Sequence, residues 1–267
     1  MSERKTRAKK SYGQHFLTNE HYAHQIAFAL ELTDQYDHVL EVGPGQGMLT
    51  KHLLERSDDF ELTVSEADKD MIEHLENHFP ELTDRIVPGD FLKAKLDRIF
   101  DNKPFGLIGN YPYNISSQIM IKMLDNYQQI PEMVGMFQKE VADRVIAGNG
   151  SKTYGVIGVL VQCRYIPSLV LNVSPGNFNP PPRVDSAVIR LVRRPEPLVP
   201  DELWGRFKHI VKSAFGMRRK MLRNSLKSAF NDDQLKDEFF QRRPEQVSLE
   251  DFVALTLKPQ NEKNTDS

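Results

Sequence analysis

Between residues 38 and 138, short apolar runs alternate with stretches whose apolar positions recur every three or four residues. This is the pattern of a mostly parallel sheet covered by helices, an α/β architecture. HVLEV (38–42), ELTVS (61–65), RIVPG (85–89), FGLIG (105–109) and MVGMFQ (133–138) read as strands, each rich in Val, Ile, Leu or Phe and bounded by turn residues. Helices are predicted between most of them. The one over 68–79 sets Met71, Leu75 and His78 on one face, and the one over 116–126 turns Ile119, Met120, Met123 and Leu124 inward. Residues 154–163 (YGVIGVLVQC) are apolar throughout and have no usable period, so a buried helix and a buried strand fit equally well.

Residues 174–183 (SPGNFNPPPR) hold four prolines and can continue neither a helix nor a central strand. They read as a rigid loop ahead of a strand, VDSAVIRLV (184–192), and RRPEPLVPDE then reads as a linker. Beyond it the periodicity is helical only: Phe207, Ile210, Val211 and Ala214, then Leu222, Ser225, Leu226 and Ala229. The expected organisation is therefore a larger α/β domain over 1–197 and a small helical domain over 198–267, whose tail after Pro259 is polar. No internal repeat is visible.

Composition narrows the class of protein. With 39% hydrophobic and 27% charged residues among 267, the chain can bury a sizeable core. One cysteine, Cys163, excludes an intrachain disulfide, and no His/Cys cluster has zinc spacing, so no metal is expected. No apolar run approaches bilayer length and no apolar stretch follows the basic start, so no membrane contact is expected; the lone cysteine suits a reducing cytoplasm, and a monomer is expected. The formal charge of −2 hides a strong segregation. Residues 31–101 carry 18 acidic against 7 basic side chains, whereas residues 206–227 carry 8 basic and no acidic ones. A basic run is commonly a solvated helix face. Here the absence of acids points to phosphate binding by Arg218, Arg219, Lys220, Arg223 and Lys227, with Arg4, Lys5, Arg7, Lys9 and Lys10 as a second basic group.

After the first predicted strand stands Glu41-Val42-Gly43-Pro44-Gly45-Gln46-Gly47. A dinucleotide fingerprint needs G-x-G-x-x-G, and this spacing is G-x-G-x-G. It resembles instead the E-x-G-x-G-x-G turn of S-adenosylmethionine-dependent methyltransferases, although a Gly-Pro-Gly turn also serves as a tight connection. Two further acids strengthen the first reading. Glu66 ends the second strand, where an acid can accept bonds from both ribose hydroxyls. Asp90 ends the third, where it can accept from an adenine amino group while Phe91 offers apolar contact to the ring. Acids at strand ends also cap helices, and Asp68 and Asp90 suit that role too.

At the end of the fourth strand stands Asn110-Tyr111-Pro112-Tyr113. Asn and Pro are turn residues, but the motif shares a sheet edge with Glu66 and Asp90, and it resembles the N-x-P-(Y/F) motif of enzymes that methylate exocyclic amino groups. An adenine N6 lone pair is delocalised into the ring. A catalyst must therefore accept bonds from the amino hydrogens and hold the nitrogen in line with the methyl donor. Asn110 Oδ1 and the Pro112 carbonyl are suitable acceptors, and Tyr113 offers a stacking face. No titrating base is needed, because the proton can leave once nitrogen is cationic. Phe178 could supply the opposite stacking face, although a Phe in a rigid loop is more commonly core.

Taken together, KKSYGQHFL (9–17), VLEVGPGQGMLT (39–50), GDFLK (89–93), GNYPYNIS (109–116), QKEVADRV (138–145), NFNPPPRVDSAVIRL (177–191) and AFGMRRKMLRNSL (214–226) resemble the ribosomal RNA adenine N6-dimethyltransferases, their small-subunit branch above all. The resemblance implies a Rossmann-like methyltransferase domain followed by a small helical domain, S-adenosyl-L-methionine as cofactor, and dimethylation of two adjacent adenosines near the 3′ end of small-subunit rRNA during ribosome assembly. It places cofactor contacts on His15, Leu17, Gly43, Gly45, Glu66, Asp90, Phe91 and Asn110. It places base handling on Asn110, Pro112, Tyr113 and Phe178. The chain departs from the pattern twice: His15 stands where Asn is usual, and Tyr111 where Leu or Ile is common.

Three other readings compete. A large-subunit rRNA adenine methyltransferase of the antibiotic-resistance type shares the cofactor and N-x-P-(Y/F) elements, but FNPPPRVDSAV and RRKMLRNSL favour the small-subunit branch. A non-enzymatic assembly factor would not need intact Glu66, Asp90 and Asn110. An NAD-dependent oxidoreductase is opposed by the glycine spacing.

Overall fold

The computed structural model describes residues 14–258. The basic group at residues 4–10 and the tail from Pro259 lie outside the described residues. Nine strands and ten α-helices follow in chain order: β1 (Phe16–Leu17), α1 (Glu20–Ala27), β2 (His38–Val42), α2 (Thr50–Leu54), β3 (Glu61–Glu66), α3 (Lys69–His78), β4 (Ile86–Pro88), α4 (Leu96–Ile99), β5 (Phe105–Asn110), α5 (Ser116–Asp125), β6 (Glu132–Gln138), α6 (Lys139–Ile146), α7 (Val156–Arg164), β7 (Tyr165–Val173), β8 (Phe178–Asn179), β9 (Ser186–Arg193), α8 (Asp201–Gly216), α9 (Leu222–Ser225) and α10 (Leu249–Leu257). No described helix is long and apolar enough to cross a membrane.

Seven strands form one sheet in the order β4-β3-β2-β5-β6-β9-β7. The pairs β2–β3, β2–β5, β3–β4 and β5–β6 are parallel, and β9 returns antiparallel to β6. From β2 the chain first builds outward through β3 and β4, then crosses to β5 on the other side. That reversal is the topological switch point at which open α/β sheets bind ligands, beyond the strand C-termini. Four turns therefore gather at one edge: Gly43–Gly47 after β2, Ala67 after β3, Gly89–Asp90 after β4 and Tyr111–Tyr113 after β5.

The predicted strands and the helices α3 and α5 form as the patterning requires. The inward residues Ile119, Met120, Met123 and Leu124 of α5 are all buried. On α3, Met71 and Leu75 are buried, but His78 is exposed and stacks on His74 one turn earlier. The run without a period is α7. It is apolar on nearly every side because Gly158, Val159, Leu160, Val161, Cys163 and Arg164 are all enclosed.

The chain divides into two compact units. One runs to Ala142 and takes in Ile166–Arg193; the other joins Asp143–Tyr165 to the chain from Arg194 onward. The C-terminal part of the helical unit thus begins four residues before the boundary at 198 read from the sequence, and the unit also recruits α7, which packs on α8 and α10. In α8 the predicted stripe Phe207, Ile210, Val211 and Ala214 is buried. The basic run that follows is not one helix, as its periodicity suggested. α8 ends at Gly216, the chain turns through Met217–Met221, and α9 lasts four residues. Leu222 and Leu226 are buried, whereas Arg218, Arg219, Lys220, Arg223 and Lys227 are exposed.

Candidate active site

A cavity of about 550 Å³ opens at the switch point, lined by the turns after β2, β3, β4 and β5 and by Gln14–Phe16. That volume is ordinary for a small-ligand site. Gly43, Gly45 and Gly47 all have φ between 55° and 81°, a left-handed conformation that side-chain-bearing residues rarely adopt. The glycine spacing therefore reflects a backbone requirement, and a Cβ at Gly45 would also lie 2.8 Å from the Phe16 ring.

Glu66 is buried at the end of β3 and braces this turn. Its Oε1 accepts the Ala67 and Asp68 N–H groups at 2.8 and 2.9 Å, and its Oε2 accepts Gly45 N–H at 3.2 Å. Burial raises its pKa, and the three backbone donors oppose the rise. A carboxylate has roughly four lone-pair sites, so Oε2 retains acceptor capacity facing the cavity. Asp68 and Asp90 are both caps: Asp68 accepts from Asp70 N–H at 3.1 Å to start α3, and Asp90 accepts from Leu92 N–H at 2.9 Å to start the single turn Phe91–Lys93. Capping uses one oxygen of Asp90, and its residue still lines the cavity beside Phe91.

Behind the glycine turn lies Glu41, fully enclosed within β2 and accepting from Thr50 Oγ1 at 2.7 Å. Burial pushes its pKa up to about 8; the Thr50 bond opposes this and the Glu66 charge adds to it. The folded state holds this proton through a range in which the unfolded chain has released it, so stability falls as pH rises from about 4.5 through about 8. Glu41→Gln, which carries no charge, should flatten that decline, with a gain on the order of a few kcal/mol at alkaline pH and little change at pH ~5. Urea midpoints across the range check this, and parallel profiles for the two proteins would refute it.

At the end of β5, Asn110 Nδ2 donates to the His15 carbonyl at 2.9 Å. That bond commits the amide nitrogen and leaves Oδ1 as the acceptor offered to a ligand. The Pro112 carbonyl already receives Ile115 N–H and Ser116 Oγ–H, each at 3.2 Å, so it must share or release one to accept an amine hydrogen. Tyr113 is fixed by its hydroxyl on Ser186 Oγ, and its ring stacks with His15, centroids 5.4 Å apart and planes 26° from parallel. Tyr111 turns the opposite way, into the sheet. Its ring covers Gly135, where a Cβ would meet it at 2.3 Å, and rests 5.0 Å from Phe137. The departure from Leu or Ile at this position is thus accommodated by a glycine on the neighbouring strand.

The structure brings His15, Gly43, Gly45, Glu66, Asp90, Phe91, Asn110, Pro112 and Tyr113 to this one cavity. Leu17 and Phe178 are not among its lining. They pair across the β1–β8 ladder and turn into the core, 5% and 4% exposed. Both follow hydrophobic burial, since each sits opposite the other on the inward face of that short ladder. The ring that meets Tyr113 is His15, whose Nδ1 lies 2.8 Å from the Pro180 carbonyl. Gln14, Phe16, Ser65, Ile115 and Gln118 also line the cavity and were not singled out from the sequence. The only local signal for the first two was the QHFL segment, and its partners are about 160 residues away. Among the described residues no group of His, Cys, Asp or Glu is arranged to hold a metal ion.

The chain is similar to known proteins along most of its length. The sequence profile described as Ribosomal RNA adenine dimethylase matches residues 5–254. A relative in Flavobacterium johnsoniae, named Ribosomal RNA small subunit methyltransferase A, is 46% identical over 95% of this chain and 96% of its own. One of the same name in Bacteroides thetaiotaomicron is 48% identical over 93% and 92%. Among solved structures, a dimethyladenosine transferase from Plasmodium falciparum shares the fold with a TM-score of 0.74 at 23% identity, over 90% of this chain and 96% of that one. The 23S rRNA methyltransferase ErmE has a TM-score of 0.68 at 26% identity, over 91% and 100%. The profile match spans both compact units, and the chain belongs to the ribosomal RNA adenine dimethylase family.

Proposed function

We propose that the protein transfers two methyl groups from S-adenosylmethionine to N6 of each of two adjacent adenosines near the 3′ end of small-subunit rRNA, acting on a pre-ribosomal small subunit. The observation that carries this reading is Asn110: its amide nitrogen is committed to His15, and it stands in the same cavity as Glu66 and Asp90. The relatives named for the small subunit favour that RNA over the large-subunit alternative.

The residues present fit the cofactor. The left-handed glycine turn lets a ligand approach the backbone, Glu66 Oε2 would accept from the ribose, and Asp90 with Phe91 would hold the purine. When bound, S-adenosylmethionine supplies an electrophilic sulfonium methyl. Asn110 Oδ1 accepts one amino hydrogen of the target adenine and so directs the nitrogen lone pair out of conjugation. Tyr113 offers a ring face for the extruded base. Phe178 would take the opposite face only by leaving the core, and Leu17 would reach the cofactor only through its backbone.

Labelled S-adenosylmethionine incubated with small subunits lacking the modification should yield dimethyladenosine in the small-subunit rRNA. Label confined to large-subunit RNA, or none at all, would overturn the reading. RNA docking falls to the exposed cations at 218–227. Replacing Arg219, Lys220 and Arg223 with Gln should weaken subunit binding and lower the slope of log affinity against log salt by slightly under one unit per lost phosphate contact. Cofactor affinity should not change. An unaltered salt slope would make the run a solvated surface.

A further inference from the structure

The turn assigned to the purine is held from behind by a residue outside the cavity. Lys122, on α5, donates from Nζ to the Leu92 carbonyl at 3.1 Å and to the Ala94 carbonyl at 2.6 Å. Leu92 lies within the turn Phe91–Lys93 and Ala94 is the residue that ends it, while Asp90 caps the Leu92 N–H at its start. The same ammonium lies 5.4 Å from the Phe91 ring centroid. A cation at the carbonyl end of a turn satisfies acceptors that lack intrahelical partners, and over a ring face it gains a further electrostatic attraction. Lys122 thus fixes the far end of the turn that Asp90 fixes at the near end. Its helix also begins at Ser116, whose hydroxyl donates to the Pro112 and Tyr113 carbonyls. One rigid element therefore spaces the purine turn from the target-base loop.

We infer that Lys122 is a positioning residue for purine selection: it sets the Asp90–Phe91 turn in the orientation that reads the adenine amino group. The inference rests on the proposed cofactor site. Loss of the ammonium frees two carbonyls and one ring face, and the turn can then rotate about its Asp90 cap without unfolding the sheet. Partial burial favours this role. Desolvation lowers the lysine pKa, and the nearby Asp90 charge opposes that, so the cation is one the fold keeps close to Asp90 at a cost.

The test uses S-adenosylhomocysteine and S-inosylhomocysteine, in which a C6 carbonyl and an N1–H replace the amino group and the bare N1, titrated by calorimetry into the full-length wild type, Lys122→Met and Lys122→Arg. The wild type should prefer the adenosyl compound by about tenfold or more, the worth of one charge-assisted bond. In Lys122→Met the adenosyl affinity should fall about tenfold while the inosyl affinity holds, so that the preference collapses; Lys122→Arg, which can still donate to both carbonyls, should keep most of it. A preference retained in Lys122→Met, or an equal fall for both compounds, overturns the role in selection. Lys122→Gln repeats the comparison if the Met variant does not fold. Absence of adenosyl binding by the wild type overturns the cofactor site itself, and so marks a different failure.

Discussion

Asn110→Ala is expected to lower the single-turnover rate of methyl transfer by roughly 10²–10³, the usual loss when one preorganised polar group aimed at the reacting centre is removed. The reason lies in what the alternatives are already doing. Among the acceptors at the end of β5, the Pro112 carbonyl holds two donors, whereas Asn110 Oδ1 is left available by the commitment of Nδ2 to His15. Alanine removes the acceptor and also orphans the His15 carbonyl, which loosens the N-terminal wall of the cavity. Asn110→Asp separates these effects: it keeps an acceptor but sets a carboxylate against the His15 carbonyl, so its rate should fall between the two. Tyr113→Ala should chiefly weaken capture of the base, and the double variant should lose less than the product of the two losses, since both residues serve one bound geometry. A single-turnover rate for folded Asn110→Ala within about threefold of wild type would assign the amine to another acceptor.

Much of this arrangement is legible in the sequence because it is local. β2, β3 and β5 are short buried runs ending in the residues that matter, and parallel pairing carries Gly43, Glu66, Asp90 and Asn110 to one edge. The patterning also gives the inward faces of α5 and α8 correctly. What escapes it depends on distant partners. β7 contains Pro167 and reads poorly as a strand, yet it forms the last strand of the sheet beyond β9, an edge position where a missing N–H can be tolerated. β1 is two residues long and exists through its antiparallel pairing with β8, where Leu17 meets Phe178. That pairing decides which side chains face the ligand: Leu17 and Phe178 turn to the core, and His15 lies against Tyr113. No period in a two-residue strand can report such a choice. The basic run at 218–227 fails differently. Its apolar spacing is helical, but the turn at Met217–Met221 breaks it into a short α9 while leaving Leu222 and Leu226 inward.

Glu132→Ala should be the most damaging change away from the cavity, costing about 3–5 kcal/mol, as removal of one member of a buried ion pair commonly does. Glu132 opens β6 with its side chain wholly buried, an unusual place for a carboxylate unless every lone pair is used. Here they are. Glu31 N–H donates to both oxygens at 3.1 Å, Leu32 N–H donates at 2.9 Å and the Tyr36 hydroxyl at 2.8 Å, while Arg190 of β9 pairs with Oε1. Burial and the adjacent carboxylate push the Tyr36 pKa far up, so its hydroxyl remains a donor throughout the accessible pH range. The network ties the connector after α1 to the first residue of β6, and Tyr36 in turn packs so closely on β5 that a Cβ at Gly106 would lie 2.7 Å from its ring. Alanine strands two backbone donors and the tyrosine, and leaves Arg190 with Glu31, an exposed partner, for its charge. Glu132→Gln retains an acceptor and the shape of the side chain and should lose less. In guanidinium unfolding the alanine variant should show a lower midpoint at an unchanged slope, because the packed surface is the same and only its stability differs. A loss below about 1 kcal/mol would mean that water replaces the carboxylate, and the connector leading into β2 would then be held by its apolar contacts alone.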